Sequence, residues 1–186
     1  MNSSNSSIRR SLIFGLLIAA TSVFTLTACK TQQTQAGQEN VNSSPSASAW
    51  KNGIKGTWVL QSVEKENFPS NFTVKTLFEE APPECFIGST WTLPANGKGS
   101  ITFSAEGILC APGAVRNIQW SVWAPKAGEG EPQFQFKKIY PGDKASQVLA
   151  GYRLELGYAD ENRVVMKMPI EMEGNIGKLV FNFAKY

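Results

Sequence analysis

The chain has 186 residues, with 18 Lys and Arg against 15 Asp and Glu, a formal net charge of +3 and no histidine at all. Without histidine there is no commonest general base, no usual nitrogen ligand for a metal, and no Ser-His or Cys-His nucleophile pair. The near-balance of charge, with no basic run interleaved with aromatics, gives no electrostatic reason to expect nucleic acid.

The first element is an export signal. Arg9 and Arg10 precede a mostly apolar run from Leu12 to Phe24, and Leu26-Thr27-Ala28-Cys29 closes the segment. The run is too short, and too interrupted by Thr21 and Ser22, to span roughly 30 Å of hydrocarbon, whereas a signal core needs only about 7 to 15 residues. Leucine, two small residues and cysteine resemble the bacterial lipobox. That resemblance implies cleavage after residue 28, lipid on Cys29 and attachment to a membrane through two or three acyl chains, each buried methylene contributing about 0.8 kcal/mol. The mature chain then keeps 16 basic and 15 acidic residues.

Residues 29–53 are rich in Gln, Ser, Thr, Asn and Ala, with hardly a large apolar side chain before Trp50. Such a segment cannot bury enough surface to order itself and is expected to be a flexible polar tether. Residues 54–186 suit a single domain and change character, with short alternating segments broken by Gly, Pro, Asn and Asp. Trp58 and Leu60, Trp91 and Leu93, Ile101 and Phe103, Ile118 with Trp120 and Val122, and Phe134 with Phe136 mark the early strands. Thr73 to Glu80 is expected to hold one short helical turn, stopped by Pro82 and Pro83.

The later strands are clearer. Tyr152, Leu154, Leu156 and Tyr158 share one parity, as do Val164, Met166, Met168, Ile170 and Met172, and then Leu179, Phe181 and Phe183. Turns fall at Ala159-Asp160-Glu161-Asn162 and Glu173-Gly174-Asn175. The fold expected is all-β, an eight-stranded antiparallel up-and-down barrel that leaves no sheet edge exposed, with a two-sheet β-sandwich as the alternative.

With Cys29 committed to lipid, Cys85 and Cys110 remain, and an exported compartment favours a disulfide over two separately buried thiols. The densest acidic group, Glu79, Glu80 and Glu84, could in principle supply a carboxylate pair, but beside two prolines it reads as a solvated loop. We expect no enzyme, no cofactor and no metal site.

Gly56-Thr57-Trp58 is similar to the glycine-x-tryptophan signature that opens the lipocalin barrel. The stretch Glu84-Cys85-Phe86-Ile87-Gly88-Ser89-Thr90-Trp91, followed by Cys110 and Trp120-Ser121, resembles the small lipocalin-like lipoproteins of Gram-negative bacteria. The resemblance implies an eight-stranded calyx, a Cys85 to Cys110 disulfide and an outer-membrane or periplasmic setting. It also implies a basic side chain over Trp58, for which Lys185 is the nearest candidate. Lys30-Thr31-Gln32-Gln33 lacks an acidic cluster resembling a surface-export signal, which favours the periplasmic face.

Two functions remain open. The first is a small hydrophobic or amphipathic ligand inside the barrel, lined by Trp91, Trp120, Phe134, Phe136, Tyr152, Leu154, Met166, Met168 and Phe181. The other is an interaction or inhibitor module for a protein partner of the cell envelope, in which those residues are packed core and exposed loops such as Ala124 to Pro132 make the contacts. Periodicity alone does not divide the two.

Overall fold

The computed structural model describes residues 45–126, 128–172 and 174–186. Cys29, the expected signal and most of the expected tether lie outside these described residues.

The described chain opens with helix α1 (Ala47–Ile54), inside the stretch expected to be tether. Ser46 caps it, its hydroxyl accepting from the Ala49 amide at 3.2 Å. Trp50 and Ile54 then dock it against the core, Ile54 fully buried. A capping serine, two alanines and an apolar anchor suffice for an eight-residue helix because packing, not propensity, stabilises it. The polar segment therefore ends before residue 47 rather than at residue 53.

Eight strands follow: β1 (Gly56–Glu66), β2 (Thr90–Leu93), β3 (Lys98–Thr102), β4 (Val115–Trp123), β5 (Gln133–Ile139), β6 (Tyr152–Ala159), β7 (Arg163–Met172) and β8 (Asn175–Lys185). Each pairs antiparallel with its sequence neighbours, and β8 returns to β1 over a register running from Trp58 opposite Lys185 to Glu66 opposite Lys178. The strands thus form one sheet that closes into a ring, not two packed sheets.

The turns obey their local chemistry. Between β6 and β7, Asp160 Oδ1 accepts from the amides of Asn162 and Arg163 at 2.8 and 2.7 Å, an Asx turn. Two strands depart from simple alternation: the β1–β8 register shifts between Leu60 and Ser62, and a bulge between Leu156 and Tyr158 shifts the β6–β7 register. The extra residue reverses the side-chain phase, so Tyr158, expected to share the inward face of Leu154 and Leu156, is instead exposed.

The two ends of the ring differ. At one end the connections β2–β3, β4–β5 and β6–β7 meet, and α1 packs there against β4 and β6. Trp58 Nε1 donates to the Ile54 carbonyl at 2.7 Å, so the indole satisfies a carbonyl orphaned by the helix end. Lys185 Nζ lies 4.3 Å from the Trp58 ring centroid. At the other end lie the three long connections, residues 67–89, 103–114 and 140–151.

The helical turn in the first of these is α2 (Pro83–Phe86), which begins on the second proline. Pro82, preceding another proline, is forced extended (ψ 153°), and Pro83 takes the first helical position, where its missing N–H costs nothing. Residues 73–80, where the turn was expected, are not helical; Phe78 and Glu79 both have φ of 51°. Cys85 on α2 is bonded to Cys110 in the 103–114 connection, with sulfurs 2.02 Å apart.

The bridge closes a loop of 25 residues, and constraint of the unfolded chain makes it worth about 3 kcal/mol. Replacing both Cys85 and Cys110 with Ser is expected to lower the unfolding free energy by that amount in a urea titration. A loss under about 1 kcal/mol would mean that the loop is held by packing alone.

Candidate functional site

The inward parity of the strands fills the ring. Trp91, Trp120, Phe134, Phe136, Leu154, Met166 and Phe181 are buried in one continuous cluster, and Tyr152 and Met168 pack against it half-buried. The rings interlock: Trp91 meets Phe136 edge-on at 5.7 Å between centroids and Phe183 at 5.3 Å, while Trp120 lies 5.8 Å from Phe134. The residues singled out as possible pocket lining are thus brought together, but as mutually packed core.

The mouth at the long-connection end is closed by the chain's own loop. Leu77 and Ala81 form an isolated bridge, the Leu77 amide donating to the Ala81 carbonyl at 2.8 Å. This knuckle drives the Phe78 ring inward, where it is 4% exposed. It sits 5.4 Å from Phe86, 5.0 Å from Phe136, 5.2 Å from Tyr152 and 5.7 Å from Phe181. Beside it remains a crevice of about 10 Å³ among Phe78, Glu80, Phe86, Ile101, Arg116 and Lys138, room for one water at most.

Two cations face this stopper. Arg116 continues the inward parity of Ile118 and Trp120, and Lys138 continues that of Phe134 and Phe136. Both pair with Glu80: the Arg116 guanidinium approaches it through Nε at 3.2 Å and also through its NH2 nitrogen, and Lys138 Nζ lies 3.1 Å away. Lys138 also donates to the Phe78 carbonyl at 2.7 Å. Glu79 accepts from the Tyr152 hydroxyl at 3.3 Å, and Glu84 is exposed on α2. The acidic group thus splits: one carboxylate clamped between cations, one at the rim and one in solvent.

Burial pushes the Glu80 carboxyl upward, but hydrogen bonds and charge from Arg116 and Lys138 outweigh it and hold the group below its ordinary 4.5. Lys138 moves the opposite way: burial pulls it down, yet Glu80 and the adjacent tyrosines leave it raised.

Elsewhere, a groove of about 430 Å³ runs on the outer face of β4, β5 and β6 beneath the 140–151 connection. Its walls mix the outward-facing Gln119, Ser121, Gln135, Lys137 and Arg153 with Ala145 and Leu149, and it is open to solvent. Among the described residues no group of three or more His, Cys, Asp and Glu could hold a metal ion, and no helix is long and apolar enough to cross a membrane.

The surface carries one asymmetry. Of the large apolar side chains left exposed, Ile87, Ile108, Leu109, Val115, Tyr140, Leu149 and Ile176 all belong to the long-connection end. Ile108 is fully exposed and Leu109 is 72% exposed, immediately before the disulfide at Cys110. The Ala124 to Pro132 connection, expected to make contacts, belongs to the opposite end, where Trp123 is the exposed apolar neighbour.

No family model, curated protein or solved structure matches this chain.

Phe78, Arg116 and Lys138 have no role in the reading of the sequence, and Glu80, expected to lie in a solvated acidic loop, is instead clamped between the two cations. For Arg116 and Lys138 a signal existed, because each places a charge on the apolar parity of its strand. For Phe78 none did, since a loop has no periodicity.

A pH titration tests the clamp. Because the folded value of Glu80 lies below its ordinary one, its stabilisation is complete above about pH 4.5 and is lost as pH falls through the depressed value. Glu66 and Asp160 are lowered too, by hydrogen bonds from Lys167 and from Tyr158 respectively, so the wild type alone does not isolate Glu80. Glu80→Gln is expected to be less stable than wild type at pH 7 and to converge on it near pH 3, read as urea midpoints. A difference independent of pH would mean that the Glu80 charge contributes nothing.

Proposed function

We propose that this chain is an envelope lipoprotein, held to the outer membrane through lipid on Cys29, whose lipocalin-like barrel presents the long-connection end to a protein partner on the periplasmic side. The observation that carries this reading is the gathering of exposed apolar side chains at one end of a domain whose interior is already packed. Exposed apolar side chains concentrated at one end of a small domain, the adjacent Ile108 and Leu109 foremost, suit a place of interaction.

Charge argues for a protein rather than a lipid surface. The long connections carry Glu79, Glu84, Glu106 and Asp143 exposed against Lys75 and Lys144, a balance unsuited to anionic head groups. The partner that fits has an apolar patch rimmed by basic residues. The chain enters the domain through α1, opposite the long connections, so an anchor on the N-terminal side would leave the apolar end free. The disulfide fixes the base of the Ile108-Leu109 tip, which reduces the ordering cost of binding.

A second reading, a small amphipathic ligand within the barrel, is favoured by one specific observation: two inward-facing cations stand over the aromatic interior.

Crosslinking in intact cells tests the first reading. The double substitution Ile108→Ser, Leu109→Ser removes exposed side chains and should alter stability by no more than about 0.5 kcal/mol per site. It is expected to abolish a stoichiometric crosslink to a protein partner that the wild type forms. A crosslink that survives the double substitution would count against the long-connection end.

A further inference from the structure

The Phe78 to Glu80 segment has the chemistry of a ligand. Its ring fills an aromatic socket formed by Phe86, Phe136, Tyr152 and Phe181, and its carboxylate, two residues on, lies between Arg116 and Lys138. An apolar body joined to an anion is what an amphipathic carboxylate would present to the same groups. We propose that the mouth of the ring is a binding site for a small amphipathic carboxylate, with residues 78–80 as the built-in occupant that such a molecule displaces. This proposal rests on the second reading above.

Three features support displacement rather than permanent core. Three of the four socket rings, Phe136, Tyr152 and Phe181, and both cations belong to strands, with Phe86 on α2, whereas the occupant is a stretch of connection with no ladder of its own beyond the Leu77 to Ala81 bridge. Phe78 and Glu79 both adopt the left-handed backbone region that L side chains avoid, at φ of 51°, and departure would release that strain. Finally, the cations do not leave with the segment. Arg116 and Lys138 are fixed by strand parity, only 24% and 12% exposed at their side chains, and loss of Glu80 would leave two partly buried positive charges needing a counter-ion. A vacated ring-sized apolar socket is the kind of space that takes up apolar groups rather than water. Apolar body and anion would then be recognised together, as Glu80 and Phe78 are now.

Calorimetric titration of the full chain tests this, with 4-phenylbutyrate as the anionic probe and 4-phenyl-1-butanol as its neutral counterpart. Phe78→Ala combined with Glu80→Gln is expected to bind the carboxylate at least tenfold more tightly than wild type and at least tenfold more tightly than it binds the alcohol. Adding Arg116→Gln is expected to erase that preference. Near-ultraviolet circular dichroism and a thermal melt verify folding. Glu80→Gln alone keeps the Phe78 stopper and removes only the competing carboxylate, so it serves if the double substitution does not fold; it is expected to bind the carboxylate at least threefold more tightly than wild type. Equal affinity for acid and alcohol would overturn anion recognition while leaving an apolar barrel ligand standing. No binding of either probe by any folded variant would overturn both.

Discussion

A sheet that closes on itself encloses a fixed space, and that space must be filled. Once β8 pairs with β1 from Trp58 to Glu66, the interior can neither shrink nor open, and inward side chains have no solvent to turn toward. The ring meets this demand with aromatics: Trp58, Trp91, Trp120, Phe134, Phe136, Phe181 and Phe183 are all buried there. Large planar groups bury the most surface per residue and interlock edge to face, which few aliphatic combinations could do in so narrow a space. The two open ends then become the structural problem, and the chain solves them differently. One is covered by a helix whose last carbonyl is taken by Trp58. The other is stoppered by a loop side chain, held by an ion pair rather than by a strand.

This difference bears on function. A helix docked on the core is a lasting cover. A strained loop with a phenyl ring in the mouth and a carboxylate between two cations is a cover whose components can each be replaced by another molecule. Around it stand the connections that carry exposed isoleucine, leucine and tyrosine, one of them pinned by the disulfide. The features that an ordinary packed domain would lack are therefore gathered at the end away from where the chain enters.

Much of the ring was legible because its strands obey a period of two. The inward sets Leu154 and Leu156, Val164 and Met166, and Leu179, Phe181 and Phe183 are buried as their parity requires. Parity failed where the backbone departs from it: the bulge after Leu156 turned Tyr158 outward, and Gly157 within the strand is the one local mark of it. The helical turn lies after residue 82 rather than before it because a proline pair can open a helix as well as end one, proline being favoured at the first helical position. The α1 helix has too short an apolar pattern to read, with only Trp50 and Ile54 as large apolar side chains, and the Ser46 cap and the burial of those two stabilise it. The mouth was beyond reach of periodicity altogether. Phe78 earns its position from a bridge between Leu77 and Ala81 and from partners up to about a hundred residues away, Phe181 among them.

Closure between first and last strand also orders events in time. Seven of the eight pairings join neighbours in sequence and can form as hairpins while the chain is incomplete, but the eighth joins residue 58 to residue 185. Bringing such distant segments together carries the largest loop-closure entropy in the molecule. Until β8 is available, β1 and β7 are both unpaired edges and the aromatic interior is open on one side. The native ring is therefore a property of the finished chain, and a polypeptide lacking its last dozen residues would hold the same hydrophobic side chains with nothing to enclose them.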